Sequence, residues 1–218
     1  MQIKYIGHAS FFIKTKTARV VTDPFDPKMV GLKFPKTEAD IVTISHQHQD
    51  HNFLGQISGD PLVIDWPGEF EKGGVRVFGY QTYHDKEQGA KRGENILYKI
   101  EADDISLLHC GDLGMVLSEE TVDEIGEVDI IFIPVGGHYT IDASDAQEVV
   151  KRVEPSIVIP MHYGSSQLNQ ETFKELSPLS DFLEKYGVSE DQAVDQLNLK
   201  KEDLVAEEMK VTVLKISS

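Results

Sequence analysis

The sequence predicts an α/β domain in which sheets pack face to face and helices cover their outer sides. Two observations predict this fold class. Short β-branched segments recur through the first two thirds of the chain, and helical signals lie only between the later segments and towards the C-terminus. With 218 residues and 40% hydrophobic content, the chain can bury one sizeable core. We therefore expect a single domain over residues 1–218, with an acidic helical segment from about residue 165.

The strands are predicted from apolar, β-branched segments between turn residues. In chain order they cover residues 3–6, 11–13, 19–21, 41–44, 62–64, 75–78, 96–100, 105–108, 130–133 and 157–159. Alternation over residues 209–216 predicts a closing strand.

The helices are predicted from capping residues. Ser118, with two glutamates after it, predicts the N-cap of a helix that ends near Gly126. Ser144 opens a capping box ahead of a second helix with an apolar face. In the C-terminal segment, Ser177 before a proline and Ser189 before two acidic residues predict two further N-caps.

Six consecutive residues that follow the predicted strand at 41–44 and Ser45 carry the strongest functional signal. They read His46-Gln47-His48-Gln49-Asp50-His51. In an extended segment, residues two apart point the same way, so His46 and His48 can bind one ion while Asp50 and His51 turn towards a second. Imidazole and carboxylate groups are ligands of divalent transition metals. The alternative, a histidine-rich surface loop, is weaker because the motif directly follows a strand.

Further motifs surround this run in a characteristic order. They are Thr22-Asp23-Pro24-Phe25, His84, His109-Cys110-Gly111-Asp112-Leu113-Gly114, Pro134-Val135-Gly136-Gly137 and Pro160-Met161-His162-Tyr163-Gly164. With them, and with His-x-His-x-Asp-His uninterrupted, residues 1 to about 164 resemble the metallo-β-lactamase superfamily. Residues 67–71 and 92–95 are similar to its branch of Zn-dependent hydrolases related to ascorbate-6-phosphate lactonase. The resemblance implies a four-layer αββα sandwich, which periodicity alone does not predict.

The resemblance also implies a binuclear metal site with seven protein ligands. His46, His48 and His84 would bind the first ion, Asp50, His51 and His162 would bind the second, and Asp112 would bridge both. Zinc is the expected metal, although manganese and iron use the same ligand types. The role of His84 depends only on its order within the family pattern.

Several other residues are candidates for supporting a ligand or contacting the substrate. They are Asp23, His109, His138, Tyr139 and Tyr163. For His138 and Tyr139, which follow the Gly-Gly turn, substrate contact and plain loop packing are both open. Asp23 is expected to orient a ligand, the alternative being a simple Asp-Pro turn.

His8 and His109 either support a ligand or are core histidines, and Cys110 is expected to be a small buried residue. Gly136-Gly137 is expected to allow close backbone approach or positive φ. Glu69 and Asn95 belong to the branch pattern without an assigned role.

The amino-acid composition restricts the kinds of ligand and partner that the protein can bind. A single cysteine excludes an internal disulfide and a cysteine-based zinc site. The sequence shows no signal segment and no apolar run of membrane-spanning length, so we expect a cytoplasmic protein that contacts no membrane. The net charge of −16 repels phosphate backbones. A small-molecule substrate is expected rather than long nucleic acid, and a homo-oligomer is compatible with the sequence.

These features predict a hydrolase in which a hydroxide that bridges two metal ions attacks a carbonyl or phosphoryl centre. Asp112 and Asp50 are the expected catalytic residues, and the resemblance implies that Asp50 shuttles the proton to the leaving group. The lactonase-like branch implies a small anionic ester or lactone. Lys86, Lys91 and Arg92 either meet its anion or form a solvated loop. The alternatives are a phosphodiesterase or nuclease, and a non-catalytic metal-binding scaffold, for which lost ligands would be the sign.

Overall fold

The structure, a computed structural model, describes residues 1–204 and 209–217. The strands are β1 (Gln2–Gly7), β2 (Ser10–Lys14), β3 (Arg19–Thr22), β4 (Thr37–Glu38), β5 (Ile41–Thr43), β6 (Ile57–Ser58), β7 (Leu62–Ile64), β8 (Gly68–Lys72), β9 (Val75–Tyr83), β10 (Glu94–Ala102), β11 (Ile105–His109), β12 (Ile130–Pro134), β13 (Ile157–Met161), β14 (Leu197–Asn198) and β15 (Lys210–Val211). The α-helices are α1 (Pro27–Val30), α2 (Glu119–Ile125), α3 (Ala143–Val153), α4 (Gln170–Phe173) and α5 (Ser180–Leu183).

Two large sheets form the centre of the molecule. The first has the strand order β14-β1-β2-β3-β5-β7, and the second has the order β15-β13-β12-β11-β10-β9-β8. In the first sheet β3, β5 and β7 run parallel, and in the second β11, β12, β13 and β15 do so. Helices α2 and α3 make the crossovers into β12 and β13, as parallel pairing requires. A separate pair, β4 with β6, completes the pairing.

The core lies between the two sheets, and their inner faces contact each other through aromatic side chains. Phe11 of β2 stacks on Phe132 of β12 with ring centroids 4.1 Å apart. The Tyr98 hydroxyl of β10 donates across the interface to the carbonyl oxygens of Ile44 and Ile64, at 3.2 and 3.1 Å. A stacked pair such as Phe11 and Phe132 stabilises the fold by about 1 kcal/mol more than the burial of its apolar area does.

Helices cover both outer faces, so the predicted four-layer αββα sandwich is confirmed. Helix α3 buries Ala146, Val149 and Val150 against the second sheet. Helices α1 and α4 lie in a smaller cluster over the first sheet, together with Phe25 and Phe34. The strands predicted between residues 3 and 159 all occur, several of them longer than expected. None of the helices in residues 1–204 and 209–217 is long and apolar enough to cross a membrane.

Two of the predicted helix starts are wrong. The N-cap of α3 is Asp142, whose carboxylate accepts from the backbone N–H groups of Ser144 and Asp145 at 2.8 and 2.9 Å. Aspartate is favoured there because its charge also complements the helix N-terminus. Helix α5 begins at Ser180 rather than after Ser177, because the backbone of Ser177 is hydrogen-bonded to Gly136 and Gly164 at 2.8 Å each.

The remaining helix and strand predictions are met to different extents. Ser118 caps α2 as expected, with Gly126 at its end, whereas Ser189 precedes a single 3₁₀ turn. The predicted strand at 209–216 is regular only over Lys210–Val211. The chain then leaves the second sheet and makes isolated bridges from Leu214 to Val194 and from Ile216 to Tyr5. From residue 165 the described chain is helical only in short turns, and the single domain over residues 1–218 stays a prediction.

Candidate metal centre

The candidate metal ligands, and the neighbouring residues His8 and Asp23, lie together at one edge of the sandwich because each of them follows the C-terminal end of a strand. His8 follows β1, Asp23 follows β3, His46, His48, Asp50 and His51 follow β5, His84 follows β9, Asp112 follows β11, and His162 follows β13. The carboxyl ends of strands in α/β sheets are the usual place for ligand-binding residues. Both sheets therefore contribute side chains to a single centre.

Asp112 lies between two groups of histidines. Its Oδ2 is 3.9 Å from Nε2 of His46, 3.2 Å from Nε2 of His84 and 3.3 Å from Nε2 of His162, and its Oδ1 is 3.3 Å from Nε2 of His51. The ligand atoms of His46, His48 and His84 form one group with metal-binding spacing, and those of His8, Asp50, His51 and His162 form another. The seven predicted ligands thus come together.

The spacing and the unpaired atoms fit bound metal ions. Two ligand atoms on one tetrahedral zinc ion, each about 2.0–2.1 Å from the metal, lie about 3.3 Å apart. Among the described residues, Nε2 of His46, His51 and His162 and Oδ1 of Asp112 are buried and have no hydrogen-bond partner. Such atoms are costly to bury unless something else satisfies them. A divalent cation between them would accept their lone pairs.

Electrostatics favour a positive charge at the same place. Burial alone would raise the pKa of Asp112, but His162 and His51 outweigh it and hold the pKa well below its usual value. Burial would lower the pKa of His51, but Asp112 and Asp50 raise it well above the ordinary value. Burial, with the charge of His51, pushes the pKa of His46 well below its ordinary value. The carboxylates therefore stabilise a cation, and His46 remains neutral and able to donate a lone pair.

Asp23 is placed where a residue that orients ligands must lie. Its Oδ2 accepts from the hydroxyl of Ser45 at 2.6 Å and lies 2.9 Å from Nδ1 of His51, while its Oδ1 accepts from the backbone N–H of Ser45 at 2.7 Å. The Ser45 hydroxyl in turn is 2.9 Å from Nδ1 of His46. A hydrogen bond on one ring nitrogen fixes the direction of the other. Asp23 and Ser45 therefore turn Nε2 of both histidines towards Asp112.

His8 makes a contact that motif reasoning did not assign. Its Nε2 is 3.1 Å from Oδ2 of Asp50, and its ring centroid is 4.1 Å from that of His162. Its backbone carbonyl accepts from the hydroxyl of Tyr5 at 2.7 Å and from the backbone N–H of His162 at 2.8 Å. Burial and the neighbouring His162 lower its pKa to about 4. Of the two earlier interpretations, these contacts favour a residue that supports a ligand.

Asn95 also acquires a structural role, because it holds the loop that presents Asp112. Its Oδ1 accepts from the backbone N–H of Asp112 at 2.9 Å, and its Nδ2 donates to the carbonyl of Cys110 at 3.0 Å. Gly111 has φ 53°, and a Cβ there would lie 2.4 Å from Asn95 Oδ1 and 2.5 Å from Ser45 Cβ. Only glycine fits at this position. Cys110 is fully buried, as expected, and burial raises the pKa of its thiol.

Three predicted residues are not brought to the ligands. His109 is a core histidine, with Nε2 2.7 Å from the carbonyl oxygen of Ala9 and Nδ1 accepting from a backbone N–H. His138 is exposed and packs edge-on against Tyr139. Tyr163 lies with Tyr5 at a ring distance of 6.3 Å, because His162 has φ 53° and turns the chain away. For His109 the structure therefore favours the core-histidine alternative, and contact of His138 or Tyr163 with a substrate stays a prediction.

A cleft of about 480 Å³ opens from the centre. Its lining includes Asp50, His84, Asp112, His162, Lys91, Arg92, Tyr139, Thr172 and Phe173. The predicted roles of the glycine pair both occur beside it. A Cβ on Gly136 would lie 2.2 Å from the carbonyl oxygen of His162, and Gly137 has φ 61°. Glu69, in contrast, is exposed on β8.

An αββα sandwich with a histidine and aspartate cluster at its strand ends defines a metal-dependent hydrolase of metallo-β-lactamase fold. The chain belongs to the family of β-lactamase superfamily domains, whose profile matches residues 2–162.

Known proteins of similar sequence and structure agree with this assignment. A metal-dependent hydrolase from Pyrococcus horikoshii is 26% identical, with 81% of this chain and 92% of the relative covered. A solved structure from Thermotoga maritima, assigned as a candidate Zn-dependent hydrolase of the metallo-β-lactamase superfamily, is 37% identical with a TM-score of 0.80, covering 98% of this chain and 97% of that one. An isothiocyanate hydrolase from Delia radicum gut bacteria, 12% identical with a TM-score of 0.68 over 100% and 97% of the two chains, shares the fold.

Proposed function

We propose that this protein is a binuclear metal hydrolase that cleaves a small anionic ester or lactone. The observation that carries the proposal is the position of Asp112. One carboxylate oxygen lies 3.2 Å from Nε2 of His84 and the other lies 3.3 Å from Nε2 of His51, so a single side chain faces both ligand groups. A carboxylate shared in this way offsets the mutual repulsion of two cations held close together.

The residues divide into two ligand sets that share one member. His46, His48 and His84 would hold one ion, Asp50, His51 and His162 the other, and Asp112 both. Zinc suits this combination of imidazole and carboxylate ligands, and manganese or iron would be held by the same atoms. Asp23 and Ser45 keep the histidines oriented while ions and substrate exchange.

Divalent ions in such a site supply a water of lowered pKa and polarise the bond to be cleaved. The chain itself handles the proton. When an ester or lactone opens, the leaving alkoxide needs one, and Asp50 is a carboxylate that lines the cleft. The contact between Nε2 of His8 and Oδ2 of Asp50, at 3.1 Å, holds this carboxylate in place beside the cleft.

The cleft and the charge support a small substrate. A volume of about 480 Å³ falls in the range of small-molecule sites. The net charge of −16 opposes the approach of long nucleic acid, which is repelled wherever no basic stripe offsets it. We place the protein in the cytoplasm, where its single buried cysteine would stay reduced. A homo-oligomer would be compatible with this function.

The test combines metal analysis with a substrate panel. The purified protein is stripped with a chelator, reloaded separately with zinc, manganese and iron(II), and assayed on lactones, aryl esters, thioesters and phosphodiesters. We expect two metal ions per chain, no activity in the stripped protein, and turnover of carboxylic esters or lactones after reloading. Turnover of phosphodiesters alone would support the phosphodiesterase alternative. A protein that binds two ions but hydrolyses none of the panel would contradict the proposal.

A further inference from the structure

Three cationic residues lie on the loop between β9 and β10, and their contacts differ. Nζ of Lys86 is 2.6 Å from Oδ2 of Asp145, and Lys91 is paired with Glu87. Both lysine side chains are exposed. Arg92 is half-buried, and its guanidinium has no carboxylate partner within residues 1–204 and 209–217. Two of the three charges are therefore engaged within the chain, and one is available.

The position of Arg92 is fixed at both ends. Its backbone N–H donates to Oδ2 of Asp85 at 2.8 Å. Its guanidinium lies over the ring of Tyr139, 5.5 Å from the centroid, and the Tyr139 hydroxyl donates to the carbonyl of Thr172 at 2.7 Å. A guanidinium held on an aromatic face keeps its N–H edge for bidentate binding of an oxyanion. Because the Arg92 side chain is already ordered, binding of an anion loses less conformational entropy.

Arg92 also lies on the wall between two clefts that reach the metal centre. One contains Asp50, Asp112 and His162, and the other contains His46 and His48. A molecule in either cleft can therefore contact the guanidinium and the ligand cluster together. In a chain with a net charge of −16, a fixed cation beside the centre is the feature expected of a site for an anionic ligand.

We propose that Arg92 binds the oxyanion group of the substrate, a carboxylate or a phosphate, and so positions its ester bond at the metal centre. The inference rests on the proposed function, of which it names the specificity-determining residue. Lys86 is paired with Asp145, and Lys91, although it also lines the cleft, is paired with Glu87. The preference for anionic substrates then resides in one side chain and is separable from metal binding.

The kinetic test compares 4-nitrophenyl esters whose acyl chains end in a carboxylate, a phosphonate or an uncharged methyl group. Zinc-loaded protein is assayed on mono-4-nitrophenyl glutarate, on the 4-nitrophenyl ester of 3-phosphonopropanoate and on neutral 4-nitrophenyl pentanoate. For Arg92→Gln we expect KM for one or both charged esters to rise roughly 10- to 100-fold. KM for the neutral ester should change less than about twofold, and the metal content should not change. Arg92→Lys should recover part of the loss, because it restores charge without the planar fork.

Two lysine variants complete the comparison. Lys86→Gln removes a charge from the same loop and should leave all three KM values unchanged. An equal loss on charged and neutral esters in Arg92→Gln, or a selective loss in Lys91→Gln instead, would overturn the assignment. The charged ester that suffers the larger loss identifies carboxylate or phosphate as the group bound.

A binding measurement separates this proposal from the reaction itself. Glutarate and 3-phosphonopropanoate are titrated calorimetrically into zinc-loaded wild type and Arg92→Gln. Anion affinity that falls at least tenfold in the variant supports the Arg92 site even if no ester is hydrolysed, in which case only the proposed reaction fails. Equal affinity in the two proteins, or no binding to wild type, refutes the Arg92 site.

Discussion

At the scale of single residues, the centre depends on His84 and Asp112 in different ways. Asp112 faces histidines of both groups, whereas His84 belongs to one. We expect Asp112→Ala to lower the affinity for both metal ions and to abolish activity. In His84→Ala the affinity for one ion should fall by at least about 100-fold, since loss of a residue that only orients a ligand already lowers metal affinity 10- to 100-fold. The second ion should be retained through Asp50, His51 and Asp112.

Metal stoichiometry and steady-state kinetics on the same preparations check this expectation. His138→Ala is the matched control, because it removes an exposed histidine that packs against Tyr139 and is in neither ligand group. It should keep two ions. Two tightly bound ions in His84→Ala, with altered KM alone, would instead make His84 a residue of the cleft wall.

How much of the centre the sequence predicts depends on how local the signal is. His46, His48, Asp50 and His51 are predicted because they lie within six residues at the end of a strand. Ser45 and Asn95 were not predicted as supporting residues, because their roles arise from contacts with Asp23 and Asp112 that are 22 and 17 residues away in sequence. His8 shares a strand-end position with the ligands, and this local signal could have indicated a place near them, although its contact with Asp50 appears only in the structure.

At the scale of elements, strands are predicted better than helix starts. Alternation and β-branching are properties of a whole segment, so an error of one residue does not hide a strand. A helix start depends on which of several neighbouring capping residues wins, and before α3 both Asp142 and Ser144 are suitable by type. The structure selects Asp142, whose side chain accepts two backbone N–H groups while Ser144 lies in the first turn.

This choice predicts a difference between two neighbouring substitutions. Asp142→Ala should lower the free energy of unfolding by about 1–2 kcal/mol, because two backbone donors lose their acceptor and the helix N-terminus loses a negative charge. Ser144→Ala should change it by less than about 0.5 kcal/mol. Chemical denaturation followed by circular dichroism measures both variants under the same conditions. If Ser144→Ala lowers the free energy of unfolding more than Asp142→Ala does, Ser144 rather than Asp142 is the N-cap.

At the scale of the whole molecule, the metal centre joins the two sheets. His8, Asp23 and the residues after β5 extend from the first sheet, and His84, Asp112 and His162 extend from the second. Without cations, this edge brings three buried aspartates together around unpaired imidazole nitrogens. Burying these unpaired polar groups costs free energy. Bound ions would offset this cost only in the folded chain, because the ligands are far apart in sequence. Metal binding should therefore stabilise the entire sandwich.

We expect the melting temperature to fall when a chelator removes the metal and to rise with free zinc concentration. For one ion that binds only the folded state, zinc at 1,000 times its dissociation constant adds about 4 kcal/mol at 25 °C. Calorimetry of the stripped protein at several buffered zinc concentrations measures this dependence. Asp112→Asn, which keeps the shape of the side chain but removes its charge, should lose most of the zinc-dependent increment. A melting temperature independent of zinc in the wild type would show that these histidines and aspartates do not hold the two sheets together through a metal.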